Sequence, residues 1–152
     1  MMRLHWMTYA VAAALLLTAI TAPEAVAATG PPKGWVIFQS SVGRFVVWHP
    51  AGWQIRENKG TARTTTITLT DPAGGAAMTI RRRYAPISIG KHCHKVTMRD
   101  ARVGHRCATK TAVTTTLPDT SEGNFVFRAP LRSFPYGVYT KVVANFQILR
   151  GA

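Results

Sequence analysis

Residues 63–84 read RTTTITLT, DPAGG, AAMTIRRRY, and this stretch constrains the fold more than any other. Ile67 and Leu69 share a face with Thr65, while Thr64, Thr66, Thr68 and Thr70 share the opposite one. Alternation of that kind marks a half-buried strand. Asp71-Pro72-Ala73-Gly74-Gly75 supplies turn chemistry. Ala76–Tyr84 then returns as the partner strand, and Met78 and Ile80 are expected to meet Ile67 and Leu69 across the hairpin. A hairpin with one apolar face must cover that face, so the chain is built on antiparallel sheet. The threonine face is that of a good β-former in solvent, and such a row can also hold ordered water or sugar.

The remaining strands follow the same logic. Trp35–Gln39 is a first candidate, Ser40–Gly43 a turn, and Arg44–His49 a strand apolar on both faces. A strand of that type is covered on both sides. Pro50-Ala51-Gly52 turns the chain, and Trp53–Glu57 continues extended. Lys95–Arg99 and Arg102–Thr116 read as two strands of a second hairpin closing near Asp100-Ala101, and Asn124–Ala129 is a strand with Phe125 and Phe127 on one face. Leu117–Gly123 reads as a polar loop. Val138, Val142, Val143, Phe146 and Leu149 make a helical stripe, so Gly137–Arg150 is expected to be a helix.

The N-terminus bears on the compartment. Arg3 precedes an apolar run from Tyr9 to Ala22, and Ala25-Val26-Ala27 is a small-x-small cleavage signal. This is the layout of a secretory signal peptide at 1–27, followed by a flexible segment at 28–34 and one domain at 35–152. An uncleaved anchor is the competing reading; the run is short for a spanning helix. The expected product is secreted or periplasmic, with no transmembrane helix in the mature chain. Of 19 Lys and Arg and six Asp and Glu, the leader removes only Arg3 and Glu24, so the net charge of +13 persists. Such a balance favours a polyanion or an acidic protein as partner. High charge can also serve solubility alone. A monomer is expected.

The two cysteines sit in HCH (His92, Cys93, His94) and in GHRC (Gly104 to Cys107). In an oxidising compartment an even count favours a disulfide. A Cys93–Cys107 bridge would close a loop of about 15 residues, worth on the order of 3 kcal/mol in the chain-entropy model. A metal site built on His92, His94 and His105 is the alternative. If Cys93 faces Cys107 across a regular hairpin, His105 lies on the cysteine face, away from His92 and His94. A two-histidine surface site at 92 and 94 survives that geometry. No cofactor is expected.

Arg81-Arg82-Arg83 is the densest basic run. With Lys95, Arg99 and Arg102 it could form a rim for phosphate or sulfate groups, to which arginine offers two parallel hydrogen bonds. The competing reading is a solvated edge whose charge discourages edge pairing. Nucleic acid is disfavoured, because only Tyr84 offers an interleaved aromatic. No G-x-S-x-G elbow, HExxH helix or P-loop occurs, and the carboxylates form no acid/base pair in sequence, so the chain is not expected to be an enzyme. A triad assembled from distant residues keeps an unrecognised hydrolase as an alternative.

Gly43-Arg44-Phe45-Val46-Val47-Trp48-His49-Pro50-Ala51-Gly52-Trp53 resembles the G-F-x-(V/I)-x-(Y/H)-P-x-G-W opening of PsbP-like domains, a family that includes small secreted bacterial members. Val96–Arg106 resembles the family's later hairpin, and Val143–Arg150 its closing helix. The resemblance implies a central antiparallel sheet with helices on its faces, and a compact, usually non-enzymatic binding or accessory domain. Residues 85–92 are too short for the family's mid-chain helix, and the function of the family's photosystem II member, the extrinsic oxygen-evolving protein, is not carried over. The expected fold is therefore α+β: a twisted, mostly antiparallel sheet with a C-terminal helix packed on one face. An all-β sandwich is the alternative.

Overall fold

The computed structural model of the protein describes residues 30–40, 42–58, 60, 64–121 and 123–149. The leader read at 1–27 lies outside them. In chain order the elements are β1 (Trp35–Ser40), β2 (Phe45–Pro50), β3 (Gln54–Asn58), β4 (Thr66–Thr70), β5 (Ala77–Arg83), β6 (His94–Thr97), β7 (Val103–Ala108), β8 (Ala112–Thr120), β9 (Gly123–Pro130), α1 (Tyr136–Ala144) and β10 (Gln147–Ile148). The hairpin read first is β4–β5, and its register pairs Ile67 with Ile80 and Leu69 with Met78. At its turn the Asp71 carboxylate accepts from the Ala73 amide at 2.9 Å, and Gly75 takes a φ of 64°. A positive φ of this size suits glycine.

The strands form two sheets. One has three strands in the order β1-β2-β10; the other has seven in the order β3-β4-β5-β9-β8-β7-β6. Every pairing in both is antiparallel. The arrangement is mostly antiparallel sheet with one C-terminal helix, and it fits a sandwich of two sheets. Phe45 and Val47 of β2, Ile67 and Leu69 of β4, Met78 and Ile80 of β5, and Phe125 and Phe127 of β9 are buried in one cluster. Tyr139, Val142 and Val143 of α1 join it. Phe146 is the central contact, with ring centroids 5.1 Å from Phe45, 4.9 Å from Phe125 and 4.9 Å from Phe127. Aromatic pairs at such separations add roughly 0.5–1.5 kcal/mol each beyond their buried area.

Three expectations change. The segment 102–116 is not one strand but two, β7 and β8, divided at Thr109–Thr111. The Thr109 hydroxyl accepts from the Thr111 amide at 3.3 Å and from the Ala112 amide at 3.1 Å, which gives the chain a local turn in place of a ladder. The expected loop at 117–123 is mostly strand, because β8 runs on to Thr120 with an irregularity in register after Leu117. The expected helix ends at Ala144, six residues early. Asn145 caps it, and the chain then turns so that Ile148 pairs with Phe45 and the Leu149 amide donates to the Arg44 carbonyl at 2.8 Å. The adjacent apolar pair Ile148-Leu149 thus belongs to a strand edge.

Candidate anion-binding face

The seven-stranded sheet has one face on the core and one turned away from it. Register assigns the outer positions. Arg56 pairs with Thr68, Thr68 with Thr79, Thr79 with Arg128, Arg128 with Thr114, and Thr114 with Cys107. One row of side chains therefore crosses six strands. A second row places Arg81 opposite Val126 and next to the first. The inner partners of these positions are the buried Ile67, Leu69, Met78, Ile80, Phe125 and Phe127. Alternation then leaves threonine and arginine outside.

Three arginines converge on this face. Arg81 and Arg83 are two residues apart on β5, about 6.7 Å along a strand. Arg128 on β9 is the diagonal neighbour of Arg81, about 7–8 Å away. Together with Thr79, Thr114 and Val126 they line a concavity of about 290 Å³. None of its six lining side chains is a carboxylate. All three arginines are exposed. Like charges this close repel one another, and a bound oxyanion relieves that repulsion while accepting from the guanidinium forks. Two further shallow concavities adjoin it along the same row. One of about 390 Å³ shares Thr79 and Arg128; the other, of about 670 Å³, includes Arg56, Thr68 and Thr70. Glu57 stands at the rim of the last, with its carboxylate accepting from the Ser40 hydroxyl.

The basic set read from sequence divides. Arg81, Arg83 and Lys95 are exposed, and register puts all three on the outer face. Arg82 does not belong with them. It points inward, is 5 % exposed, and donates to the Gly43 carbonyl at 3.2 Å, to the Val42 carbonyl at 3.4 Å and to the Tyr84 hydroxyl. Its charge anchors the β1–β2 turn. That turn needs glycine at 43, where a Cβ would meet the Phe45 ring at 2.2 Å. Arg99 lies over the Trp48 ring, 4.6 Å from its centroid, and Arg102 pairs with Asp100 at 3.5 Å. Both belong to the β6–β7 turn. Arg128, Thr79 and Thr114 line the arginine concavity and Arg56 lies further along the same row, outside it; the sequence singles out none of the four. The alternation of Phe125 and Phe127 already turns Arg128 outward. That β9 lies between β5 and β8 is a long-range pairing, which no local signal carries.

Cys93 and Cys107 form a disulfide, with Cα atoms 4.4 Å apart. That separation is typical of a non-hydrogen-bonded pair in an antiparallel ladder. The bridge lies on the outer face, at the end of the threonine–arginine row. It also fixes the end of the connector 84–93, whose start is held where the Asn124 side-chain amide donates to the Ala85 carbonyl at 2.7 Å. The three histidines do not come together. His105 pairs with Lys95 and Thr116 on the cysteine face, whereas His94 opposes Arg106 on the other. Among the described residues no group of three or more His, Cys, Asp or Glu side chains is placed to share an ion. His49 is 6 % exposed, and its Nδ1–H donates to the Pro50 carbonyl at 3.0 Å. Burial holds its pKa below the usual histidine value.

The class these features define is an antiparallel two-sheet domain, disulfide-clipped at one edge, with a basic open sheet face. No family model, no curated protein and no solved structure matches the chain. No helix among the described residues is long and apolar enough to cross a membrane.

Proposed function

We propose that this protein is an exported, non-catalytic binding or accessory domain whose open sheet face takes an anionic partner at the concavity of Arg81, Arg83 and Arg128. One observation carries the reading: three exposed arginines on two adjacent strands line one concavity that holds no carboxylate. The net charge of +13 adds long-range attraction for a polyanion. The resemblance to PsbP-like domains supports a binding role, and the leader read at 1–27 supports export. Titration calorimetry with inorganic sulfate and inorganic phosphate tests the site. The triple substitution Arg81→Gln, Arg83→Gln, Arg128→Gln is expected to abolish binding. Removing three charges elsewhere (Lys33→Gln, Arg132→Gln, Lys141→Gln) is expected to leave most of it. Equal losses in the two triple variants would mean that net charge acts and the concavity does not.

A further inference from the structure

We infer that the ligand of this face is a linear acidic glycan, bearing sulfate or phosphate groups along its length, which lies across the strands from β3 toward β8. The inference rests on the anion-binding reading and extends it from one oxyanion to a polymer. Three features of the face carry it.

The first is the distribution of charge. Arg56 on β3 is three strand intervals from Arg128 on β9, about 14 Å at the usual spacing of neighbouring strands. A single anion held by Arg81, Arg83 and Arg128 cannot reach Arg56, but a chain of anions can touch both. The second is what lies between the cations. Thr68 and Thr79 separate Arg56 from Arg128 along one row, and Thr114 follows on the far side. Each hydroxyl is both donor and acceptor, which suits the hydroxyls of sugar rings. All three threonines are partly exposed. The third is the absence of aromatic side chains from the outer positions of β3, β4, β5 and β9 and of β8 as far as Thr116. Single-stranded nucleic acid is held by bases stacked on aromatic platforms. A face of hydroxyls and guanidinium groups offers none.

The concavities along the row are contiguous. Two share Thr79 and Arg128, and the third begins at Thr68, which is paired directly with Thr79. The connector 84–93 lies outside this path: none of the three concavities is lined by its residues, and its ends are held at Asn124 and at the disulfide.

The test uses the full secreted chain and four probes: inorganic sulfate, heparin fragments from disaccharide upward, polyphosphate, and single-stranded DNA of matched charge. Affinity for heparin fragments is expected to rise with length until the row is spanned. Arg56→Gln should weaken long fragments about three- to tenfold and lower the slope of log affinity against log salt by about one, while leaving inorganic sulfate unaffected. Thr68→Val and Thr114→Val, which remove hydroxyls at nearly constant volume, should weaken heparin more than polyphosphate. A phosphate-bearing glycan in place of heparin distinguishes the two anionic groups by its relative affinity. Sulfate binding at the arginine triad without any length dependence would overturn this inference and leave the anion site standing. Equal or tighter binding of single-stranded DNA would overturn the glycan assignment. No binding of sulfate or of any fragment would sink both readings.

Discussion

Removing the Cys93–Cys107 bridge should cost the protein about 3 kcal/mol. The two half-cystines are 14 residues apart in sequence. In the chain-entropy model, closing a loop of about 15 residues takes roughly 10 cal/mol/K from the unfolded chain, which gives that figure at 25 °C. The native state gives little to offset the loss. None of the four residues of β6 is buried, and β6 is the last strand of its sheet, so it holds to β7 by four register pairs and the bridge. A loss of 3 kcal/mol lowers the ratio of folded to unfolded molecules by a factor of about 160. For a domain of this size it lowers the melting temperature by roughly 12 °C. The assay is urea unfolding of the wild type and of Cys93→Ala/Cys107→Ala, with amide exchange read strand by strand. Exchange should quicken most in β6 and in 84–93, while β4, β5 and β9 exchange only through global unfolding. A loss smaller than about 1 kcal/mol, with β6 still protected, would refute the view that the bridge constrains the chain by loop closure.

Other outcomes follow from individual side chains. Arg82→Met should cost roughly 2–4 kcal/mol, because it leaves carbonyls at 42 and 43 unpaired, whereas Arg81→Met next to it should stay within about 0.5 kcal/mol; urea midpoints compare them. The Tyr139 hydroxyl donates to Thr115 Oγ1 at 2.7 Å, and burial pushes its pKa up to about 12 from the ordinary 10.0. The folded state holds that proton more tightly than the unfolded one, so this contribution is complete below the ordinary value and is lost as pH rises through about 12. Tyr139→Phe should flatten the alkaline limb of the stability profile, followed by tyrosinate absorbance and circular dichroism. His49 has the opposite sense: burial depresses its pKa below 6.5, so its contribution is complete above that ordinary value and is lost as pH falls through the lower pKa of the folded state. His49→Gln should make stability less sensitive to mild acid, measured as melting temperature against pH.

Much of the sheet was legible in sequence because alternation is local. Ile67, Leu69, Met78 and Ile80 announce both strands of their hairpin, and the turn residues between them fix its register. The cysteines were legible for the same reason, since Cys93 and Cys107 fall opposite each other once their hairpin closes. The C-terminal segment misled because Val138, Val142 and Val143 continue into Phe146 with helical spacing, while the pairing that ends the helix is made with β2, about a hundred residues earlier in the chain. The candidate site was half legible. Arg81 and Arg83 stand out as a run, and alternation with Met78 and Ile80 already turns Arg82 to the buried face; what the run does not show is that Arg128 comes beside Arg81. That depends on β9 inserting between β5 and β8. The order of strands in a sheet is a property of the whole core, which the Phe45, Phe125 and Phe146 contacts fix, and no window of sequence contains it.

The most direct test of the central claim is a titration of the isotopically labelled protein with inorganic sulfate, followed by backbone amide and arginine side-chain resonances. Saturable shifts are expected to cluster at Thr79, Arg81, Arg83, Thr114, Val126 and Arg128, with Arg82 and the helix unmoved. Shifts spread evenly over Lys33, Arg99, Arg132 and Lys141, or no saturation at all, would contradict it.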